Sequence, residues 1–268
     1  DKLFIDNVEP CIVANKAPFI NLGTPKSKEN HMWRYLYDDA YQDAGKVTIY
    51  RTDANWYHVY SLYGYVVNGH FGHSLSFNKT GSILAVGSPG ENRARVFQDD
   101  GTGTFTQLGS SLDHNDVGKY GYDIELNENG DRVVVRAPYW NPNKGYIHIY
   151  EYVNADWSLI GEIGKTIFAN YYGLSVSIDT LGNHVSMSSN YDQTQVYQYD
   201  GSSWTIKGTT IPAQSGSQQS ESVSLSGNGN RIAIGRTVNG TVEVYEYKTK
   251  PFSDDSAWQL ASSGTGDI

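Results

Sequence analysis

The chain has 268 residues, and its 20 lysines and arginines are outnumbered by 29 aspartates and glutamates, which gives a formal net charge of −9 at pH 7. This negative charge would repel a phosphate backbone, so nucleic-acid binding is not expected. No apolar run reaches the roughly 18 residues of a membrane-spanning helix, so membrane insertion is not expected either. The single cysteine excludes an internal disulfide.

Residues 2–70 form the first of five repeated units, and their pattern is the least regular. Short apolar segments occur at residues 2–6 (KLFID), 11–18 (CIVANKAP) and 45–52 (GKVTIYRT), and Trp56 marks a fourth segment. Alternating apolar residues of this length are typical of β-strands. The sequence therefore predicts four strands in this unit.

A long insertion at residues 18–45 separates the second and third predicted strands of this unit. Connections of this length without their own periodicity are usually functional or disordered. The aromatic content argues against disorder and suits either a contact surface or packing over the rest of the domain. The candidate binding residues are Trp33, Tyr35, Tyr37 and Tyr41 in the insertion and Tyr57 after it.

From residue 71 the pattern recurs in four clearer units, which span residues 71–118, 119–170, 171–218 and 219–263. Each begins with apolar residues at every second position (FGHSLSF, YGYDIEL, YGLSVSI, SESVSLS), followed by a turn that contains glycine (NKTG, NENG, DTLG, SGNG). A spacing of two places these side chains on one face of a strand. Three more strands follow in each unit. The repeats predict an all-β fold, with one β-propeller domain over residues 1–268 and five four-stranded blades of about fifty residues each.

The third unit differs from the others in its first strand. Asp123 and Glu125 stand where the second, fourth and fifth units have serine, and Arg136 follows in the next strand. Antiparallel pairing would bring Asp123 opposite Arg136, which favours a structural cluster of compensating charges formed by Asp123, Glu125 and Arg136. The alternative is an acid/base pair of carboxylates in a glycan-cleaving propeller hydrolase.

Other candidate sites lie in turns and at strand ends. Asn78 and Asn239 begin Asn-x-Thr sequences and are candidate glycosylation sites. Residues 127–131 hold several oxygen donors, but Asn-Gly turn chemistry explains them, so no metal is expected. His70 and His73 lack an evident acidic partner and are interpreted as surface or channel-mouth histidines. Known catalytic and cofactor motifs do not occur, so no catalytic residue and no cofactor is predicted.

The inner hairpins carry a family resemblance. Phe71-Gly72 with Gly87-Ser88-Pro89, and Tyr120-Gly121 with Ala137-Pro138, resemble FG-GAP repeats. Such repeats occur in integrin α chains and in surface proteins of bacteria, algae and large DNA viruses. In the last unit, Ser220-Glu221 replaces the Phe-Gly pair.

The resemblance implies a non-enzymatic recognition or adhesion module. Its partner would be a protein or a carbohydrate, and its location would be extracellular, on a cell surface or on a virion. A third alternative, beside the hydrolase, is a structural tile in a larger assembly.

Overall fold

The computed structural model describes residues 11–15, 43–52, 56–113, 118–140, 144–164, 172–189, 193–212, 222–236, 240–249 and 257–265. Within these ranges the strands form five antiparallel sheets. This arrangement confirms the predicted all-β fold. In the same ranges, no helix is long and apolar enough to cross a membrane.

Sheet one contains β1 (Cys11–Asn15), β2 (Lys46–Thr52) and β3 (Trp56–Tyr63), paired in that order. These strands correspond to the second, third and fourth strands predicted for the first unit. The strand predicted at residues 2–6 lies outside the described residues. So does the insertion, apart from its last three positions.

Sheets two to five each contain four strands paired in chain order. Sheet two has β4 (Leu75–Phe77), β5 (Ile83–Ser88), β6 (Arg93–Asp99) and β7 (Phe105–Gln107), with the short β8 (Leu112–Asp113) also pairing with β6. Sheet three has β9 (Asp123–Leu126), β10 (Arg132–Trp140), β11 (Lys144–Val153) and β12 (Asp156–Ile163).

The last two sheets repeat this plan. Sheet four has β13 (Tyr172–Ile178), β14 (His184–Ser189), β15 (Gln193–Tyr199) and β16 (Trp204–Ile206), with β17 (Ile211–Pro212) also pairing with β15. Sheet five has β18 (Ser222–Leu225), β19 (Arg231–Arg236), β20 (Thr241–Lys248) and β21 (Ala257–Thr265).

Successive sheets pack face to face, so the middle sheets are buried on both sides. Strand β10 shows this clearly: Val133 and Val135 join the cluster that contains Ala85 of sheet two, while Val134 joins the cluster that contains Val185 of sheet four. Residues at odd and even positions of a strand point to opposite faces. The apolar run of β10 therefore supplies two cores at once.

The turns after the inner strands β4, β9, β13 and β18 share one hydrogen-bonding scheme. The first side chain of each turn accepts a bond from the backbone N–H five residues later, and these side chains are Asn78, Asn127, Asp179 and Ser226. The next residue in three of the turns donates its N–H to the following sheet's turn, as Lys79 does to the Glu128 carbonyl at 3.0 Å. The turns thus tie consecutive sheets together as well as closing their own hairpins.

Candidate functional site

The inner strands of consecutive sheets are joined by side chains that accept hydrogen bonds from the next strand's backbone. Ser76 Oγ accepts from the Leu126 N–H at 2.9 Å. Two sheets further on, Ser177 Oγ accepts from the Leu225 N–H at 3.0 Å. The small polar residues that alternate with apolar ones in the first strands are therefore inter-sheet acceptors.

Asp123 and Glu125 occupy these acceptor positions in sheet three. Asp123 Oδ2 accepts from the Val176 N–H at 3.0 Å, and Glu125 Oε2 accepts from the Ile178 N–H at 3.0 Å. Asp123 Oδ1 accepts from its neighbour Ile124, and Glu125 Oε1 accepts from the Ser177 hydroxyl. All four carboxylate oxygens thus bond within the protein, an arrangement that suits a structural role better than acid/base catalysis.

Burial raises the pKa of both carboxyls. For Asp123 the removal of water is the largest effect, and the hydrogen bond from Val176 and the charge of Arg136 act against it. For Glu125 burial raises the pKa to about 7, with the charge of Asp123 adding to the effect. Glu125 therefore titrates near neutral pH, unlike an ordinary carboxyl.

Arg136 lies directly opposite Asp123 in the register of β9 and β10. Its guanidinium also sits over the Tyr122 ring, 5.1 Å from the ring centre. The predicted structural cluster of Asp123, Glu125 and Arg136 remains a prediction, now supported by these positions.

A second group of polar side chains gathers where the inner strands of sheets two and three begin. This basic cluster consists of His70, His73, Lys119 and Arg136, with Tyr122 between them. The His73 ring lies 4.5 Å from the Tyr122 ring, centre to centre. His70, His73 and Lys119 are exposed, whereas Arg136 is buried beneath them.

The pKa of His73 reflects the charges of the basic cluster around it. The His73 side chain is only partly buried; this partial burial is the largest cause that lowers its pKa, and the neighbouring charges of His70, Lys119 and Arg136 lower the pKa further. These effects show that several positive groups lie close to His73, in a chain that is acidic overall. Sequence reasoning noted the two histidines but missed Lys119, and it assigned Arg136 only to the charge cluster.

The backbone beneath the basic cluster is tightly packed and locally strained. A side chain at Gly87 would overlap the Gly121 carbonyl oxygen and Ser74 Oγ, so sheets two and three meet there in direct backbone contact. His70 and Lys119 both have φ in the left-handed region, 53° and 56°. Residues other than glycine adopt this conformation only uncommonly, and it carries some backbone strain.

The remaining predicted site residues are distributed as follows. Tyr57 lies on β3 and is 47% exposed, whereas Trp33, Tyr35, Tyr37 and Tyr41 of the insertion lie outside the described residues, as does Asn239. The structure therefore does not test whether the aromatic residues form one surface, and the binding role of Tyr57 stays a prediction.

Asn78 is described in detail. It is 7% exposed, and its Nδ2, the atom to which a glycan would be attached, donates to Thr80 Oγ1 and approaches the Asn129 carbonyl. A glycan on this atom would displace those bonds. As a glycosylation site, Asn78 therefore stays an untested prediction that its packing disfavours.

No described group of three or more histidine, cysteine, aspartate or glutamate side chains is arranged to hold a metal ion. In the turn at residues 127–131, the oxygen atoms that could bind a metal are engaged in hydrogen bonds within the turn. Asn127 Oδ1 accepts from the N–H groups of Gly130 and Arg132, and Asn127 Nδ2 donates to Asp131 Oδ1.

Solved structures with the same arrangement of sheets identify the architecture. Hsv2p from Kluyveromyces lactis matches with a TM-score of 0.58 at 11% identity, over 83% of this chain and 68% of that chain. The β-propeller domain of Cps50 (Swd1) from Myceliophteria thermophila matches with a TM-score of 0.55 at 10% identity, over 84% of this chain and 67% of that chain. The chain is a β-propeller.

A candidate 6-phosphogluconolactonase from Bacteroides fragilis also resembles the propeller, with a TM-score of 0.57 at 11% identity, over 83% of this chain and 65% of that chain. The chain spans about two thirds of the length of these three structures. No protein-family model matches the sequence, and no curated protein matches it either. The likeness to FG-GAP repeats therefore rests on the quoted motifs alone.

The expected recognition or adhesion function is corrected by these comparisons. The matching structures include candidate 6-phosphogluconolactonases and Hsv2 propellers, which point away from surface adhesion. The expectation relied on the repeat motif, and a propeller repeat specifies how blades pack rather than what they bind. The glycan-cleaving alternative with Asp123 and Glu125 is set aside with it, because both carboxylates are engaged between sheets.

Proposed function

We propose that this propeller binds a small phosphorylated molecule at the basic cluster. The observation that carries the proposal is the convergence of His70, His73, Lys119 and Arg136 at the start of two adjacent inner strands, in a chain with a net charge of −9. Side chains of like charge repel one another, and a bound ligand of opposite charge reduces that repulsion; a cluster of this kind is therefore typical of a binding site.

The chemistry of each side chain fits this class of ligand. The exposed Lys119 ammonium can approach a phosphate directly, and the imidazoles of His70 and His73 can donate to its oxygens. Arg136 is only 2% exposed and lies opposite Asp123, so a direct contact with the ligand is not expected from it.

Two further points support the proposal. The name of the Bacteroides neighbours refers to a phosphorylated sugar derivative, although at 11% identity the similarity extends to the fold alone. The left-handed backbone of His70 and Lys119 also places two strained basic residues at equivalent positions of neighbouring repeats. We also propose that the repeats are of the FG-GAP type. This part of the proposal concerns the type of repeat and implies no function.

Calorimetric titration tests the proposal with inorganic phosphate and glucose 6-phosphate as ligands and glucose as the neutral comparison. We expect the phosphorylated compounds to bind and glucose to give no signal. Lys119→Ala should weaken phosphate binding about tenfold, because it removes one charge-assisted contact. Lys79→Ala is the matched control, since Lys79 lies on the turn after β4, at the opposite end of the inner strands from Lys119, and pairs with Glu128 at 2.8 Å.

The pH dependence gives an independent check. Because the His73 pKa is lowered, this imidazole is largely neutral in the unliganded protein at pH 7.5. Phosphate itself also gains a proton as the pH falls toward 6, so the contribution of His73 is read from the difference between proteins: the wild type should gain affinity relative to His73→Ala over this range, with additional proton uptake. Equal binding of glucose, or equal losses in Lys119→Ala and Lys79→Ala, would contradict the proposal.

A further inference from the structure

The loop between β3 and β4 exposes three consecutive apolar side chains. Tyr65 is 70% exposed, Val66 45% and Val67 48%. Runs of exposed apolar residues are avoided on protein surfaces unless they serve a contact. This run, the apolar loop tip (Tyr65, Val66 and Val67), is therefore a candidate contact surface.

Backbone hydrogen bonds hold the loop that carries this tip. The His70 N–H donates to the Asp43 carbonyl at 3.1 Å, and the Gly69 N–H donates to the Val66 carbonyl at 2.9 Å, which closes a turn. The Gly90 N–H, from the next hairpin, donates to the Gly69 carbonyl at 3.1 Å. The fold thus presents the apolar loop tip in a defined position.

The same loop leads into the basic cluster. His70 is the last residue of the loop and also a member of that cluster. Val67 lies three residues before His70, so the two Cα atoms are within about 11 Å of each other. A ligand of modest size can therefore contact the basic cluster and the apolar loop tip together.

Glu91 lies against this loop, but its charge is compensated. Its Cγ atom is next to Gly69. The Glu91 side chain is 3% exposed, and its carboxylate pairs with the guanidinium groups of Arg93 and Arg95. Glu91 therefore offers little opposition to an anionic ligand that spans the loop tip and the basic cluster.

We propose that the ligand of the basic cluster is a soluble phosphate monoester with an apolar ester group, and that this group packs against the apolar loop tip. The inference rests on the proposed function, because the basic cluster holds the phosphate. A sugar phosphate would place hydroxyl groups against Val66 and Val67, whose aliphatic side chains offer no hydrogen bonds. A free ester is favoured over a lipid headgroup, because an anionic bilayer would repel a chain with a net charge of −9.

Calorimetric titration with methyl phosphate and butyl phosphate tests the inference. The two esters carry the same phosphate group, and butyl phosphate has three more methylenes. Each fully buried methylene strengthens binding about fourfold, so half burial of the three predicts about eightfold tighter binding of butyl phosphate. Lys119→Ala should weaken both esters by the same factor, because the phosphate contact is common to them.

Replacing both valines of the loop tip by serine isolates the apolar contact. In the double variant Val66→Ser, Val67→Ser, butyl phosphate should bind only about as tightly as methyl phosphate, and the affinity for methyl phosphate should be unchanged. Val153→Ser is the matched control, since Val153 is 43% exposed at the end of β11 in sheet three. This control should keep the eightfold ratio.

The outcomes separate the inference from the proposed function. Equal affinities for the two esters in the wild type would overturn the inference and leave the proposed function standing. A butyl preference that survives in the double variant would also overturn it, because the loop tip would then not hold the ester group. Co-sedimentation with vesicles of phosphatidic acid and phosphatidylcholine would assign the loop tip to a membrane surface instead, with the same consequence. If neither ester nor inorganic phosphate binds, the proposed function itself fails and the inference fails with it.

Discussion

Replacing Glu125 by glutamine removes a charge from an inter-sheet contact while keeping its shape. The wild-type carboxylate accepts from the Ile178 N–H at 3.0 Å and from the Ser177 hydroxyl. A glutamine at this position can still accept from Ile178 through Oε1 and can donate to Ser177 through Nε2. The substitution therefore isolates the effect of ionisation.

The size and sign of that effect follow from the raised pKa. Burial takes the pKa of Glu125 from its ordinary value of 4.5 to about 7. Since the folded chain holds the proton more tightly than the unfolded chain, ionisation destabilises the fold; the penalty begins above pH 4.5 and is complete above about pH 8. At about 1.4 kcal/mol per pKa unit, the full penalty is about 3 kcal/mol. Between pH 5 and pH 8 it should grow by about 2–3 kcal/mol, because part of it is already present at pH 5.

Urea unfolding at pH 5, 6, 7 and 8 measures this penalty. We expect the wild-type free energy of unfolding to fall relative to that of Glu125→Gln across this range, so that the variant is the more stable protein at pH 8. Glu128→Gln is the control: Lys79 lowers the pKa of Glu128, so the stability that its charge contributes is already present above pH 4.5, and this variant and the wild type should give nearly parallel profiles between pH 5 and pH 8. Parallel pH profiles for wild type and Glu125→Gln would refute the reasoning.

Three further predictions concern single side chains. Lys119→Gly should weaken phosphate binding in calorimetry while leaving the thermal midpoint unchanged or slightly higher, because glycine relieves the left-handed backbone; a large loss of stability would make Lys119 a structural residue. Asn78→Ala should cost about 1–2 kcal/mol in urea unfolding, because it removes the acceptor for the Ile83 N–H, and an unchanged midpoint would contradict that role. Trp258→Phe should cost about 1–2 kcal/mol in the same assay through loss of the bond from Nε1 to the Lys207 carbonyl at 2.9 Å, whereas Trp56→Phe, at an exposed position, should cost little; equal losses would contradict it.

The architecture could be predicted from the sequence because the residues that determine the strands and turns of each sheet lie within a single repeat. Alternating residues such as Leu75 and Phe77 define a strand face, and the turns that follow fix the hairpin register. The pairing of Asp123 with Arg136 also follows from the register of one hairpin. These features depend only on residues close together in the chain.

The sites depend on contacts between repeats, and a single repeat does not encode them. The bonds from Asp123 to Val176 and from Glu125 to Ile178 cross about fifty residues of sequence, so neither role was visible from the strand that carries the carboxylates. Lys119 and His73 are likewise brought together only when sheets two and three pack. The wrong functional expectation has the same origin, since it was drawn from repeat motifs rather than from an assembled site.

The hydrogen bonds between turns give the propeller a polarity. The Lys79 N–H bonds to the Glu128 carbonyl, the Glu128 N–H to the Thr180 carbonyl, and the Thr180 N–H to the Gly227 carbonyl, so each turn donates toward the next sheet and accepts from the one before it. Because these three joints use the same backbone donor and acceptor, a repeat could be duplicated or deleted and the flanking turns would still meet compatible partners. Gene duplication could therefore change the number of units without altering the bonds between turns.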